Sequence, residues 1–188
     1  MKKTFTMDDV AILHEDNSVL VVVKPHNIPS QADVSGDTDL LSLLKQYIKD
    51  KYDKPGNVYL GLVHRLDRPT GGVMVFAKNS KSAERLSKQI VDGEMSKNYL
   101  TTVLGAPKEK KGTLVNYLKK NALTNTVYVA TFGDHNAKRA ELSYELHLNQ
   151  DVSLVKVQLG TGRSHQIRVQ FSAIGCPVFG DVRYGGDA

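Results

Sequence analysis

The chain has 188 residues, 40% of them hydrophobic and 24% charged, and a net charge of +5, which suits a soluble globular protein of one domain, or two lobes sharing a sheet. No apolar run approaches the roughly 20 residues that span a bilayer, and "MKKTFTMDDVAILHEDN" lacks the apolar stretch of a signal peptide. The single cysteine, Cys176, excludes an internal disulfide and points to a reducing, cytoplasmic setting.

The first predicted element is "SVLVVVKP", whose five consecutive apolar residues Val19 to Val23 read as a strand buried on both faces and closed by Pro25. A loop, "PHNIPSQADVSGDT", follows. Thr38 or Asp39 is then placed to cap a helix whose Leu40, Leu41, Leu43, Leu44, Tyr47 and Ile48 fall mostly on one stripe. "VYLGLVHRL" reads as extended, with Leu60, Leu62, His64 and Leu66 on one parity. A turn at "DRPTGG" leads into the strand "VMVFAK". Asn79 or Ser80 caps a second helix with Ala83, Leu86 and Ile90 spaced i, i+3, i+7, and Gly93 stops it. "NYLTTVLG" is strand-like, and "LSYELHL" and "SLVKVQL" alternate as half-buried antiparallel strands do. "SHQIRVQFSAIG" returns to helical spacing. The expected fold is α+β, a mixed and largely antiparallel sheet with flanking helices.

Residues 1–94 carry 13 Lys+Arg and 13 Asp+Glu, whereas residues 95–188 carry 12 against 7, so the whole positive excess lies in the second half. That asymmetry points to a basic face for a polyanion. The histidines show no metal-ligand spacing, and Cys176, between Gly175 and Pro177, reads as a small buried residue rather than a catalytic thiol.

Two stretches carry chemistry. In "GLVHRLDRPTGG", Asp67 ends an apolar segment and enters a Pro-Thr-Gly-Gly turn, the position of a catalytic group on a loop held by a scaffold, though also that of an ordinary turn residue. In "LGTGRSHQIRV", glycines flank a loop that opens a helix near Ser164, with Arg163 in the loop and Arg168 a turn beyond. That pattern reads as an anion site or an arginine clamp on a carboxylate, and equally as a helix start with exposed arginines. Tyr99, after Lys97 in "SKNYL", is weaker and would ordinarily be a packing residue.

Taken in order, "HRLDRPTGGVMVFAK", then "KNY", "LGTGRSHQIRVQ" and "GCPVFGDVRYGG", preceded by "ILHEDNSVLVVVKP", resemble the RluA-type pseudouridine synthases from about residue 10 to residue 186. The resemblance implies a pseudouridine synthase catalytic domain over 1–188, acting on uridines of structured RNA, ribosomal or transfer RNA, as a monomer without metal, cofactor or membrane attachment. It implies that Asp67 is the nucleophile on the ribose, that Arg163 pairs with it and keeps it ionised, and that Tyr99 stacks on the flipped uracil near the proton lost in rearrangement. Arg65 would fill the gap left by the extruded nucleotide, and His64, Lys97 and Arg168 would add RNA contacts. An aromatic face recovers part of the stacking lost on flipping, and an arginine plane substitutes for a base.

The sequence departs from the family pattern in three places. Gly71 stands where Ser commonly follows Thr, no N-terminal RNA-binding domain precedes the motifs, and the sequence stops just past "GDVRYGG", where relatives continue with a Leu-His-Ala segment. Two other readings compete, a non-catalytic RNA-binding module of the same fold and a phosphoester enzyme using the Gly-Thr-Gly-Arg loop. Intact Asp67, Tyr99 and Arg163 weigh against the first, and the lack of a carboxylate cluster or phosphate loop against the second.

Overall fold

The computed structural model describes residues 4–186. The chain divides into two compact units, 1–94 and 95–188, and the positive excess lies in the second. Each unit has its own sheet rather than a share in a common one.

The first unit is a four-stranded antiparallel sheet in the order β1-β2-β4-β3, formed by β1 (Ala11–Glu15), β2 (Val19–Lys24), β3 (Gly61–Leu62) and β4 (Gly72–Ala77). Helix α1 (Leu40–Lys51) begins at Asp39, whose carboxylate accepts from the Ser42 N–H at 3.0 Å. Its buried stripe, Leu40, Leu44 and Ile48, packs on Leu20, Val22, Met74 and Phe76 of β2 and β4. Helix α2 (Ser80–Val91) is capped by Asn79, which accepts from the Ser82 N–H at 2.8 Å, and ends before Gly93, where φ is +76°. Its predicted stripe, Ala83, Leu86 and Ile90, is half-buried.

Strand β2 corrects one expectation. Leu20, Val22 and Lys24 are fully buried, but Val19, Val21 and Val23 are only half-covered, because this is the alternation of an antiparallel strand and not a strand sealed on both faces.

The second unit is a five-stranded antiparallel sheet in the order β5-β9-β8-β6-β7, made of β5 (Lys97–Leu104), β6 (Lys111–Asn121), β7 (Thr126–Ala130), β8 (Lys138–Leu148) and β9 (Val152–Leu159). One face carries helix α3 (Gln166–Ala173), where Phe171 meets Tyr144 edge-on with centroids 5.7 Å apart above Val103, Leu142, Val155 and Val157. Cys176 is buried in this core, and burial pushes its thiol up, away from the reactive thiolate. Among the described residues no helix is long and apolar enough to cross a membrane.

Candidate active site

Asp67 lies on the irregular segment between β3 and β4. It is half-buried, and its carbonyl accepts from the Thr70 N–H at 3.0 Å, closing a turn over Arg68 and Pro69. The backbone on either side of it is tied down from the loop that follows β2. The Ser30 hydroxyl donates to the Leu66 carbonyl at 2.8 Å and accepts from the Leu66 N–H at 3.2 Å. The Asn27 N–H donates to Arg68 O at 2.9 Å, which requires the left-handed φ of +68° at Asn27. The His26 ring lies 2.9 Å from Pro69 O through Nδ1, so that nitrogen carries the proton. Arg68 itself is ion-paired with Asp37 and donates to the Ser35 hydroxyl.

The centre of this anchoring is Lys24, next to the Pro25 that closes the first predicted strand. Its side chain is fully buried, and its ammonium donates to the carbonyls of Pro25 (3.1 Å), Arg68 (3.0 Å) and Thr70 (2.7 Å). Burial pushes it down to about 8, with the Asp67 carboxylate pulling the other way. The signal was present in the sequence, because Lys24 shares the parity of the core residues Leu20 and Val22.

His64 is engaged within the fold. Its Nε2 accepts from the Val75 N–H of β4 at 3.0 Å, and burial lowers its pKa, so it is a neutral imidazole standing in for a backbone carbonyl where β3 has ended. Arg65 is exposed. Residues 63–67 form no strand, so strand alternation does not fix which way Arg65 and Asp67 point.

In the second unit, Lys97 and Tyr99 sit at the start of β5 on one parity, opposite Leu159 and Val157, and Tyr99 packs against the core that contains Tyr144 and Phe171. A β-carbon built at Gly162 would stand 4.0 Å from the Lys97 ammonium, so Lys97 reaches over the loop that carries Arg163. The Arg163 guanidinium donates through Nε to Arg139 O at 2.9 Å.

That loop corrects a second expectation. Three of its N–H groups are already used within the fold and do not face an anion. Gly160 and Thr161 donate to Glu141 O at 3.0 and 3.1 Å, and Arg163 donates to the Gln166 side-chain oxygen at 2.9 Å. Gln166, buried and missed by the sequence reading, also accepts from the Thr161 hydroxyl at 2.8 Å and donates to Glu141 O at 3.0 Å. The helix therefore starts at Gln166, after a left-handed His165 (φ +51°), and not at Ser164. Arg168 is committed too. It makes a two-pronged pair with Asp181 at 2.6 and 2.7 Å and lies over the Tyr184 ring at 4.9 Å, so a phosphate would have to compete for it. Burial works to raise the Asp181 carboxyl, but Arg168 outweighs it and the net direction is down. Among the described residues no group of three His, Cys, Asp or Glu side chains is placed to hold a metal ion.

Residues 18–173 match the family of RNA pseudouridylate synthases. The chain belongs to that family. It is 34% identical over 179 residues to an uncharacterized RNA pseudouridine synthase of Aquifex aeolicus, covering 94% of this chain and 56% of the relative. It is 30% identical over 178 residues to the ribosomal large subunit pseudouridine synthase C of Rickettsia bellii, covering 94% and 57%. Among solved structures it resembles human RNA pseudouridylate synthase domain containing 4, with a TM-score of 0.77 and 25% identity over 93% of this chain and 68% of that one. The chain thus spans little more than half the length of the curated relatives it matches.

Proposed function

We propose that this chain isomerises uridine to pseudouridine in structured RNA, ribosomal or transfer RNA, with Asp67 as nucleophile. The observation that carries this reading is the anchoring of the backbone at Leu66, Arg68, Pro69 and Thr70 around one half-buried carboxylate, in a chain of this family. A nucleophile gains most from being held in one place before the substrate arrives.

In the proposed reaction a carboxylate oxygen of Asp67 forms a bond to C1′ of the extruded uridine as the bond from C1′ to N1 breaks, leaving its electron pair on the uracil. The base turns, C5 attacks C1′ and displaces the carboxylate. The C5 proton is lost and N1 gains one, so the product is an isomer. No redox step occurs and nothing is lost to water, so the chemistry requires neither cofactor nor metal. Arg163 supports the ionised carboxylate, Tyr99 stacks on the flipped uracil and lies near the departing proton, and Arg65 holds the vacated stack. Lys97 adds a cation beside the Arg163 loop, and the enzyme acts in the cytoplasm as a monomer.

The test is pseudouridine formation in ribosomal and transfer RNA fractions from cells lacking this gene. Wild-type protein should restore one or a few sites, and Asp67→Asn should bind the same RNA and restore none. Turnover by Asp67→Asn above contaminating wild-type enzyme would overturn the assignment.

A further inference from the structure

Helix α3 covers one face of the five-stranded sheet, and among the described residues several side chains of the opposite face are exposed. On β6 the residues facing α3 are those of even number. Leu118 is buried there with Val127, Ala140 and Val169. The odd residues and their cross-strand partners face away, and at the β7 side of the sheet they form a group. Lys119 lies opposite Tyr128, and Tyr117 lies opposite Ala130 on one side and Arg139 on the other. Beyond the end of β7, Phe132 meets Tyr117 edge-on with centroids 5.1 Å apart, yet it remains 79% exposed, and Tyr128 is 46% exposed. Three aromatic rings on one open sheet face, two of them uncovered, exceed the scattered exposure that needs no explanation.

The chemistry around them selects a partner. Lys119 and Arg139 stand among the rings, and the whole +5 excess of the chain lies in this unit. Arg139 is ion-paired with Glu141, but a surface pair of this kind holds an arginine only weakly. Aromatic faces interleaved with cations suit single-stranded nucleic acid, whose bases stack and whose phosphates need neutralising. The group is also tied to the loop of the second unit that carries Arg163, because the Arg139 backbone supplies the carbonyl that accepts from the Arg163 guanidinium.

We propose that the open sheet face formed by Tyr117, Lys119, Tyr128, Phe132 and Arg139 is a docking surface for single-stranded nucleotides flanking the target uridine. It takes bases by stacking on Phe132 and Tyr128 and phosphates at Lys119 and Arg139. This rests on the reading of the chain as an RNA-modifying enzyme.

The experiment is equilibrium binding of a labelled oligouridylate of about twelve nucleotides, within the site size usual for single-strand binders. Phe132→Ala and Tyr128→Ala should each weaken binding about tenfold, and Lys119→Ala should flatten the slope of log affinity against log salt by about 0.7. Because Phe132 is exposed, its variant should melt as wild type does. Unchanged binding by both aromatic variants would overturn the proposal. So would wild-type self-association that Phe132→Ala abolishes while RNA binding stays intact, since the face would then serve a second copy of the chain. Pseudouridine formation by wild type on RNA from cells lacking the gene is measured in parallel. Isomerisation without any effect of the aromatic variants on oligouridylate binding sinks the surface alone. Weakened binding by those variants without any wild-type isomerisation sinks the reaction alone.

Discussion

The buried ammonium of Lys24 donates to the carbonyl of Thr70 at 2.7 Å, across 46 positions of sequence, and so fixes the turn that begins at Asp67. Lys24→Met would fit the volume but leave the Thr70 carbonyl without its ammonium donor and the Arg68 carbonyl with the Asn27 N–H as its remaining one. Each unsatisfied buried acceptor costs about 1–3 kcal/mol, so a clear drop in melting temperature is expected. Activity should fall further than the loss of folded protein explains. If the remaining folded Lys24→Met protein turns over like wild type, the clamp serves stability alone.

The same lysine sets a pH dependence. Its folded value of about 8 lies below the ordinary 10.5, so between those values the folded state holds fewer protons than the unfolded one. This group's contribution to stability therefore rises with pH through that window. Activity should move the other way, because deprotonation removes one donor and the positive charge that faces Asp67. An alkaline limb near pH 8 is expected in the rate profile while the protein stays folded, and Lys24→Met should lack that limb.

Gly71 and His26 fit as a pair. A β-carbon at position 71 would lie 2.8 Å from His26 Nε2 and 2.9 Å from Cε1. The imidazole occupies the space that a side chain at position 71 would need. Gly71→Ala should push the ring off Pro69 O and cost roughly 0.5–1.5 kcal/mol for the lost hydrogen bond. In the His26→Ala background the same change should cost much less. Additive losses in this double-mutant cycle would show that the ring and position 71 are independent.

Glu15 predicts the acid behaviour of the first unit. Its carboxylate accepts from Lys51 and Lys78 at 2.7 Å, Tyr52 at 2.8 Å and Tyr47 at 2.9 Å. Burial alone would raise its pKa, but these four donors outweigh burial and hold it at about 2, below the ordinary 4.5. A lowered folded value means stability that is present above pH 4.5 and lost as pH falls toward 2. Glu15→Gln should be less stable than wild type at neutral pH, and the two should converge near pH 2 in denaturant melts. A constant gap across that range would show that shape rather than charge matters at this position.

Tyr99 is expected to separate two tasks. Tyr99→Phe keeps the ring that packs on the Tyr144 and Phe171 core, so it should bind RNA normally and stall after the original glycosidic bond has broken. Tyr99→Leu should also weaken capture of the flipped base, by roughly 1–3 kcal/mol. Single-turnover kinetics with thermal melts decide the matter, and losses that merely track unfolding would make Tyr99 a packing residue.

Features that depend on near neighbours along the chain were legible in its residues. Asp39 and Asn79 cap their helices through bonds to residues three positions on, Gly93 ends α2 by its own backbone freedom, and β4, β8 and β9 follow their alternation. The ordered motifs around Asp67, Tyr99 and Arg163 were legible for the same reason. The hairpin of β6 and β7 was not read, because its lysines and asparagines break the apolar pattern and only pairing with β8 and packing under α3 reveal its buried parity. The tasks of Lys24, Gln166 and Arg168 likewise belonged to the tertiary structure. A lysine beside a proline, a glutamine in a helix and an arginine a turn from another look like surface residues in one dimension. Their partners lie 44 and 46, 25, and 13 positions away, and burial turns each side chain into a tie between segments, since a polar group removed from water must find its hydrogen bonds within the protein.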